Sequence, residues 1–162
     1  MWNVRLRPAS EADAQWVRET IVSCWNADFV VAHNTIYFPH KLPGVIAETA
    51  DGRRVGLATY IVKGGDCELV TIDSLIEREG VGTRLLDAVV DRARALGCKR
   101  VWLITTNDNL DALAFYQKRG FVLKNLFRNA VARAREQKPS IPLVASNGIR
   151  IRDEIELEMI LE

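Results

Sequence analysis

The chain has 162 residues, 48% of them hydrophobic and 27% charged, with a formal net charge of +1. That balance is ordinary for one soluble globular domain with a real core, and it gives no pull toward nucleic acid or a membrane surface. No apolar run is long enough for a signal peptide or a membrane span. Cys24, Cys67 and Cys98 lack CxxC spacing and read as small core residues of a reducing, cytoplasmic compartment. His33 and His40 have no second ligand at metal spacing, so no metal is expected.

In chain order, Val4 and Leu6 alternate with polar residues and predict a strand over 3–7. Ser10 and Asp13 form a capping-box pattern, ahead of a helix that carries Ala14, Val17, Ile21 and Trp25 on one face. Residues 26–43 have weak periodicity and predict a second short helix plus loop. Strands follow over 44–48 and 54–62, joined at Asp51-Gly52. Gly64-Gly65-Asp66 turns into a third strand with Val70, Ile72 and Leu75. Val81, Leu85, Val89 and Ala93 recur at helical spacing. Arg92 and Arg94 suit the negative end of that helix, and Leu96-Gly97 stops it.

Residues 100–106 are an apolar run, expected as a buried central strand. A helix over 107–119 ends at Gly120, and Phe121, Leu123 and Phe127 suggest another strand. Asn129 is placed to cap a short helix over 130–136, with loop over 140–150. In the last strand Ile155, Leu157, Met159 and Leu161 should face inward, leaving Glu154, Glu156 and Glu158 half-exposed. The tryptophans are expected in the core. The result is one mixed α/β domain over 1–162, with an excursion at 124–150.

The junction at 69–86 carries the first chemical signal. Two glycines, Gly80 and Gly82, stand between a strand and a helix. Glycine lets backbone approach a ligand closely, and a helix N-terminus offers unpaired N–H groups to phosphate. A nucleotide-binding reading ranks low, because the loop lacks both Gly-x-Gly-x-x-Gly and a P-loop Lys-Ser/Thr.

The second signal is Asn109-x-x-Ala112-x-x-Phe115-Tyr116-x-x-x-Gly120-Phe121. The two motifs in order, with a buried strand between them, resemble the GCN5-related N-acetyltransferase (GNAT) family over 4–121 and the last strand. One position departs from the family's loop: Glu77 stands where Gln or Arg is usual. Glu77 and Glu79 beside a pyrophosphate weaken binding by like-charge repulsion, which Arg78 and Arg84 can offset.

The resemblance implies a central mixed, mostly antiparallel sheet flanked by helices. It implies acetyl-CoA as co-substrate, a small-molecule or peptide amine as acceptor, and direct attack by the amine. Arg78, Glu79, Gly80, Val81, Gly82 and Thr83 would hold the pyrophosphate. Ser74 and Leu75 would pair with the pantetheine arm, with Asn109, Ala112 and Tyr116 alongside.

Leu75 N–H is the candidate oxyanion donor and Tyr116 the candidate acid for the departing thiolate, against a plain core tyrosine. Glu68 is the candidate base and Asp73 its rival. Asn109 is equally a helix N-cap. His33, Tyr37, Phe38 and His40 would form an acceptor wall, and the basic run 124–138 would cap the acceptor site or be a solvated face. A non-catalytic acyl-CoA-binding module is the alternative function. No nucleic acid or membrane partner is expected, and a homodimer is left open.

Overall fold

The computed structural model describes residues 3–162. Seven strands form one sheet, in spatial order β1, β4, β5, β6, β7, β9, β8. These are β1 (Val4–Pro8), β4 (Gly44–Thr49), β5 (Arg54–Lys63), β6 (Asp66–Ser74), β7 (Arg100–Thr106), β8 (Val122–Phe127) and β9 (Glu154–Ile160). Only β6 and β7 run parallel, joined by the crossover helix α2 (Val81–Ala95); every other neighbour is antiparallel. This is the mixed, mostly antiparallel sheet that was expected.

Two layers cover the sheet. Helix α2 and helix α3 (Leu110–Lys118) lie over one face, where Val81, Leu85, Val89, Leu103, Tyr116 and Phe121 share a core. Gly56 lets α2 sit this close, since a Cβ there would meet Val81 Cγ1 at 2.7 Å. Helix α1 (Ala14–Trp25) lies over the other face, with Val17 and Ile21 against Ile46 and Leu57. Its entry is the expected capping box: Asp13 accepts from Ser10 N–H at 2.9 Å and from both terminal nitrogens of Arg7 at 2.8 Å. The ion pair with Arg7 holds the Asp13 carboxyl well below the usual range.

The structure corrects several expectations. Residues 26–43 hold no second α-helix: β2 (Val30–Ala32) and β3 (Thr35–Tyr37) pair as a hairpin, and one 3-10 turn follows over Pro39–Lys41. His33 and Asn34 take positive φ at the hairpin turn, which Asn tolerates well. Glu154 and Glu156 are buried, because the hairpin and the segment around α4 (Ala130–Gln137) cover their face. Cys24 is exposed, whereas Cys67 and Cys98 are buried.

Trp16 is half-buried against the α1 core as expected, whereas Trp25 is exposed, Trp102 lies outside both core clusters, and Trp2 lies outside the described residues. Asn129 caps α4 with positive φ and no side-chain bond; its N–H donates to Asp153 at 2.8 Å. Strand β7 buries Val101 and Leu103 but leaves its other face half-open.

Candidate active site

Strands β6 and β7 pair only at Asp66–Arg100, Cys67–Val101 and Glu68–Trp102, and then part. Beyond Glu68 they bound a slot of about 360 Å³, walled by residues 69–73, 103–105, Asn109, Ala112 and Tyr116. The β6 edge is therefore unpaired where an extended ligand can add to it as a strand.

The direction of its backbone groups follows from one bond. Leu75 N–H donates to Val55 carbonyl oxygen at 2.8 Å. This overturns Leu75 as oxyanion donor, since its N–H is held inside the sheet. Backbone groups alternate in direction along a strand, so Asp73 also points to β5, while Ile72 and Ser74 face the gap. The register slips at Val70: Thr59 faces Thr71 and Tyr60 faces Leu69, leaving Val70 as the extra residue of a bulge. The bulge lies beside Glu68, at the closed end of the slot.

At the open end, Gly80 caps α2 with φ of 72°, a conformation that favours glycine. Gly82 has a different role. A Cβ there would make an ordinary 3.6 Å contact with the Phe115 ring, so the fold itself does not demand glycine. The first turn of α2 contains no acidic side chain. Glu77 and Arg78 are exposed, while Arg84 is tied to β1 by a 2.7 Å bond to Val4 carbonyl oxygen.

The cation that the sequence reading missed is Arg119. It lies 3.8 Å from the centre of the Phe115 ring and donates to Thr83 Oγ1 at 2.9 Å, beside the α2 N-terminus. Placed just before Gly120, it was indistinguishable from a basic residue closing α3.

Asn109 is the expected N-cap, its side chain accepting from Ala112 N–H at 3.3 Å, and it also lines the slot. Tyr116 is buried and lines the slot, and its hydroxyl has no hydrogen-bond partner among the described residues. Burial, and then the charge of Asp73, push its pKa up, so the phenol stays protonated. Asp73 accepts from Trp25 Nε1 at 3.1 and 3.2 Å, and burial raises its pKa.

Glu68 sits on the far side of the closed end, in a neighbouring cavity of about 250 Å³ under the β2–β3 hairpin. It accepts a 2.6 Å bond from the Tyr37 hydroxyl. Burial raises its pKa against that bond, and Glu156 raises it further. Arg100, a half-buried cation of this cavity, is held by Asp66, Glu156 and Glu158 at 2.9, 2.6 and 2.8 Å. His33 and Tyr37 line this cavity, but Phe38 and His40 do not. They pack near α1, where His40 meets Arg18 at 3.0 Å, so the expected acceptor wall is split.

The basic run is not a solvated face throughout. Arg135 donates to the carbonyls of Ile141, Pro142 and Ile151, and Lys138 is buried against α1.

The family model of the acetyltransferase (GNAT) family matches residues 12–121. The chain belongs to this family. It is 41% identical over 155 residues to the uncharacterized protein YdhI of Bacillus subtilis, covering 96% of this chain and 97% of that one. It is 47% identical over 131 residues to YxbD of the same organism, covering 81% and 82%.

Among solved structures, a GNAT acetyltransferase from Elizabethkingia anophelis with acetyl-CoA bound superposes with a TM-score of 0.69. It shares 18% identity, over 98% of this chain and 99% of that one, and the likeness concerns the fold. GNAT membership accounts for the parted strands and the glycine loop as one assembly. No helix among the described residues is long and apolar enough to cross a membrane. Among those residues no three His, Cys, Asp or Glu side chains are grouped to hold a metal.

Proposed function

We propose that the chain is an N-acetyltransferase that passes an acetyl group from acetyl-CoA to an amine by direct attack in a ternary complex. The observation that carries this reading is the slot itself: an unpaired β6 edge with an unpartnered Tyr116 hydroxyl in its wall. The residues present fit acetyl-CoA. The first-turn N–H groups of Val81, Gly82 and Thr83 suit its pyrophosphate, and the gap-facing groups of Ile72 and Ser74 suit its pantetheine amides. When bound, it supplies a thioester carbon open to attack.

The chain's own residues then supply three services. Glu68, with its raised pKa, takes the proton lost by the acceptor ammonium. Val70 N–H, freed by the bulge beside Glu68, replaces Leu75 as the oxyanion donor. Tyr116 gives its proton to the thiolate as the new C–N bond forms and the C–S bond breaks, and it is reprotonated by the second proton that the amine nitrogen sheds on becoming the amide. The three free thiols support the expected cytoplasmic location.

A non-catalytic acyl-CoA-binding module is the second reading, favoured by Glu77 in the phosphate loop. Calorimetry with acetyl-CoA and a thiol-release screen over many amines separate the two. Binding with thiol release for at least one amine supports the enzyme. Binding with no release for any amine supports the module, and no binding overturns both.

A further inference from the structure

A second cavity of about 400 Å³ adjoins the slot. Cys24 and Trp25 line both spaces, so they share a wall. At the end of β7 the two are back to back: Thr105 and Asn109 face the slot, Thr106 and Asp108 the cavity. The segment after α4 supplies the outer wall through Lys138, Ile141 and Pro142.

Two charged groups meet this cavity without a partner of opposite charge among the described residues. Lys138 is 7% exposed. Its ammonium donates to the carbonyls of Trp25 at 2.6 Å and Phe29 at 3.3 Å, and stands 5.5 Å from the centre of the Phe29 ring. Among the described residues no carboxylate is within ion-pair reach of it. An ammonium has three donors, and these bonds use two. Burying a charge without a counter-ion is costly, and burial pulls the Lys138 pKa down. On the same cavity, Asp108 Oδ1 is buried with no hydrogen-bond partner.

We infer that this cavity seats the amine acceptor, and that the acceptor is amino-acid-like: its carboxylate meets Lys138, a donor group meets Asp108, and the reacting amine passes Trp25 into the slot. The inference rests on the acetyl-transfer reading. One remaining ammonium donor matches a singly charged carboxylate better than a phosphate, which calls for several donors. The cavity under the β2–β3 hairpin offers no comparable buried receptor, because its half-buried Arg100 already has three carboxylates and its other cation, Lys63, is exposed.

The test is thiol release from acetyl-CoA with matched acceptors: each standard amino acid, its carboxamide, and diamines that lack a carboxylate. For the parent protein the KM of the preferred acid should lie below that of its amide by on the order of a hundredfold, the scale of an unpaired buried charge. Lys138→Gln keeps two N–H donors for the Trp25 and Phe29 carbonyls and removes the charge. It should bring the acid-to-amide ratio close to one and leave the KM of acetyl-CoA unchanged.

A purely structural lysine would lower the melting temperature and slow both members of each pair alike, leaving the ratio intact; that result overturns the inference. So does a parent protein that uses amides or diamines as well as acids, although acetyl transfer then stands. If the parent binds no acetyl-CoA and releases thiol with no amine, both readings fall. Should Lys138→Gln not fold, the parent's own ratio decides.

Discussion

On the α2–α3 side the slot is walled by one continuous stretch, residues 69–119, and much of what it offers is backbone: a bulge, an unpaired strand edge and a helix N-terminus. On the α1 side the walls are side chains drawn from α1, the β2–β3 hairpin, β5, β6, β7 and the segment after α4. The first side can serve one invariant ligand, since backbone geometry survives substitution. On the proposed function, the second can change its acceptor by changing single side chains, because none of them belongs to the proposed phosphate cradle. The difference predicts that lesions on the first side move acetyl-CoA affinity, and lesions on the second move acceptor kinetics.

The largest expected break is Gly82→Glu. The ligand-free fold has room for a Cβ at this position, so the variant should fold with unchanged circular dichroism. A carboxylate on the first turn of α2 meets the pyrophosphate as a like charge, and affinity for acetyl-CoA should fall on the order of a thousandfold. Calorimetry that finds parental affinity in the folded variant removes the cradle from this helix.

Tyr116→Phe lies at the boundary between the sides and should cut kcat by on the order of a hundredfold, the usual cost of losing a general acid. Affinity for acetyl-CoA should barely change, because the hydroxyl matters as charge develops on sulfur. Among the described residues the hydroxyl has no partner, so the melting temperature should hold or rise. Parental turnover would make the hydroxyl inert and assign the proton to water.

Glu68→Gln tests the acceptor side, with kcat falling about tenfold to a hundredfold and acetyl-CoA affinity intact. The pH profile gives a sharper readout. The base must be ionised, so parental kcat/KM falls as pH drops through a pKa raised above the ordinary glutamate value. A carboxyl with a raised folded pKa favours the fold when protonated. Its contribution is complete below the unfolded pKa and is lost as pH rises through the folded one. At neutral pH the ionised Glu68 therefore costs stability, and Glu68→Gln should melt higher while working more slowly. An unchanged acid limb in the variant would transfer the role to Asp73.

The same contrast explains what was legible in the sequence. Gly80, Asn109 and Tyr116 stand in local patterns whose structural cause is also local: a φ of 72°, an N-cap bond, a helix face packed on the slot. The β2–β3 hairpin was read as helix because its three-residue strands are too short to show a period of two, and tertiary contacts decide them. Glu154 looked outward by alternation, yet the hairpin arrives from residue 33 to cover it. Leu75 was misassigned because the facing of a strand's N–H groups depends on a bulge five residues earlier, which composition does not announce. Lys138 appeared as one more basic residue in a charged run until its carbonyl partners, over a hundred positions away, came into view.

The smallest expected effect concerns Arg119, which links the motif helix to the phosphate loop. Its Nε holds Thr83 Oγ1, its Nη1 holds Phe115 carbonyl oxygen at 2.9 Å, and its plane stacks on the Phe115 ring. The charge is thereby fixed beside the first turn of α2, where the loop's own Arg84 is tied to β1. Arg119→Ala should weaken acetyl-CoA binding about tenfold, the scale of one charge-assisted contact to a partly exposed anion. Arg119→Lys should recover part of that loss, since an ammonium keeps the charge but not the planar stack and fork. The defect should shrink as salt is raised, because the charge is only half-buried and is screened. If Arg119→Ala binds acetyl-CoA as the parent does and only its melting temperature drops, the residue is a pin between α3 and α2. The Glu77 and Glu79 carboxylates would then be left to the helix N-terminus and Arg78 to offset.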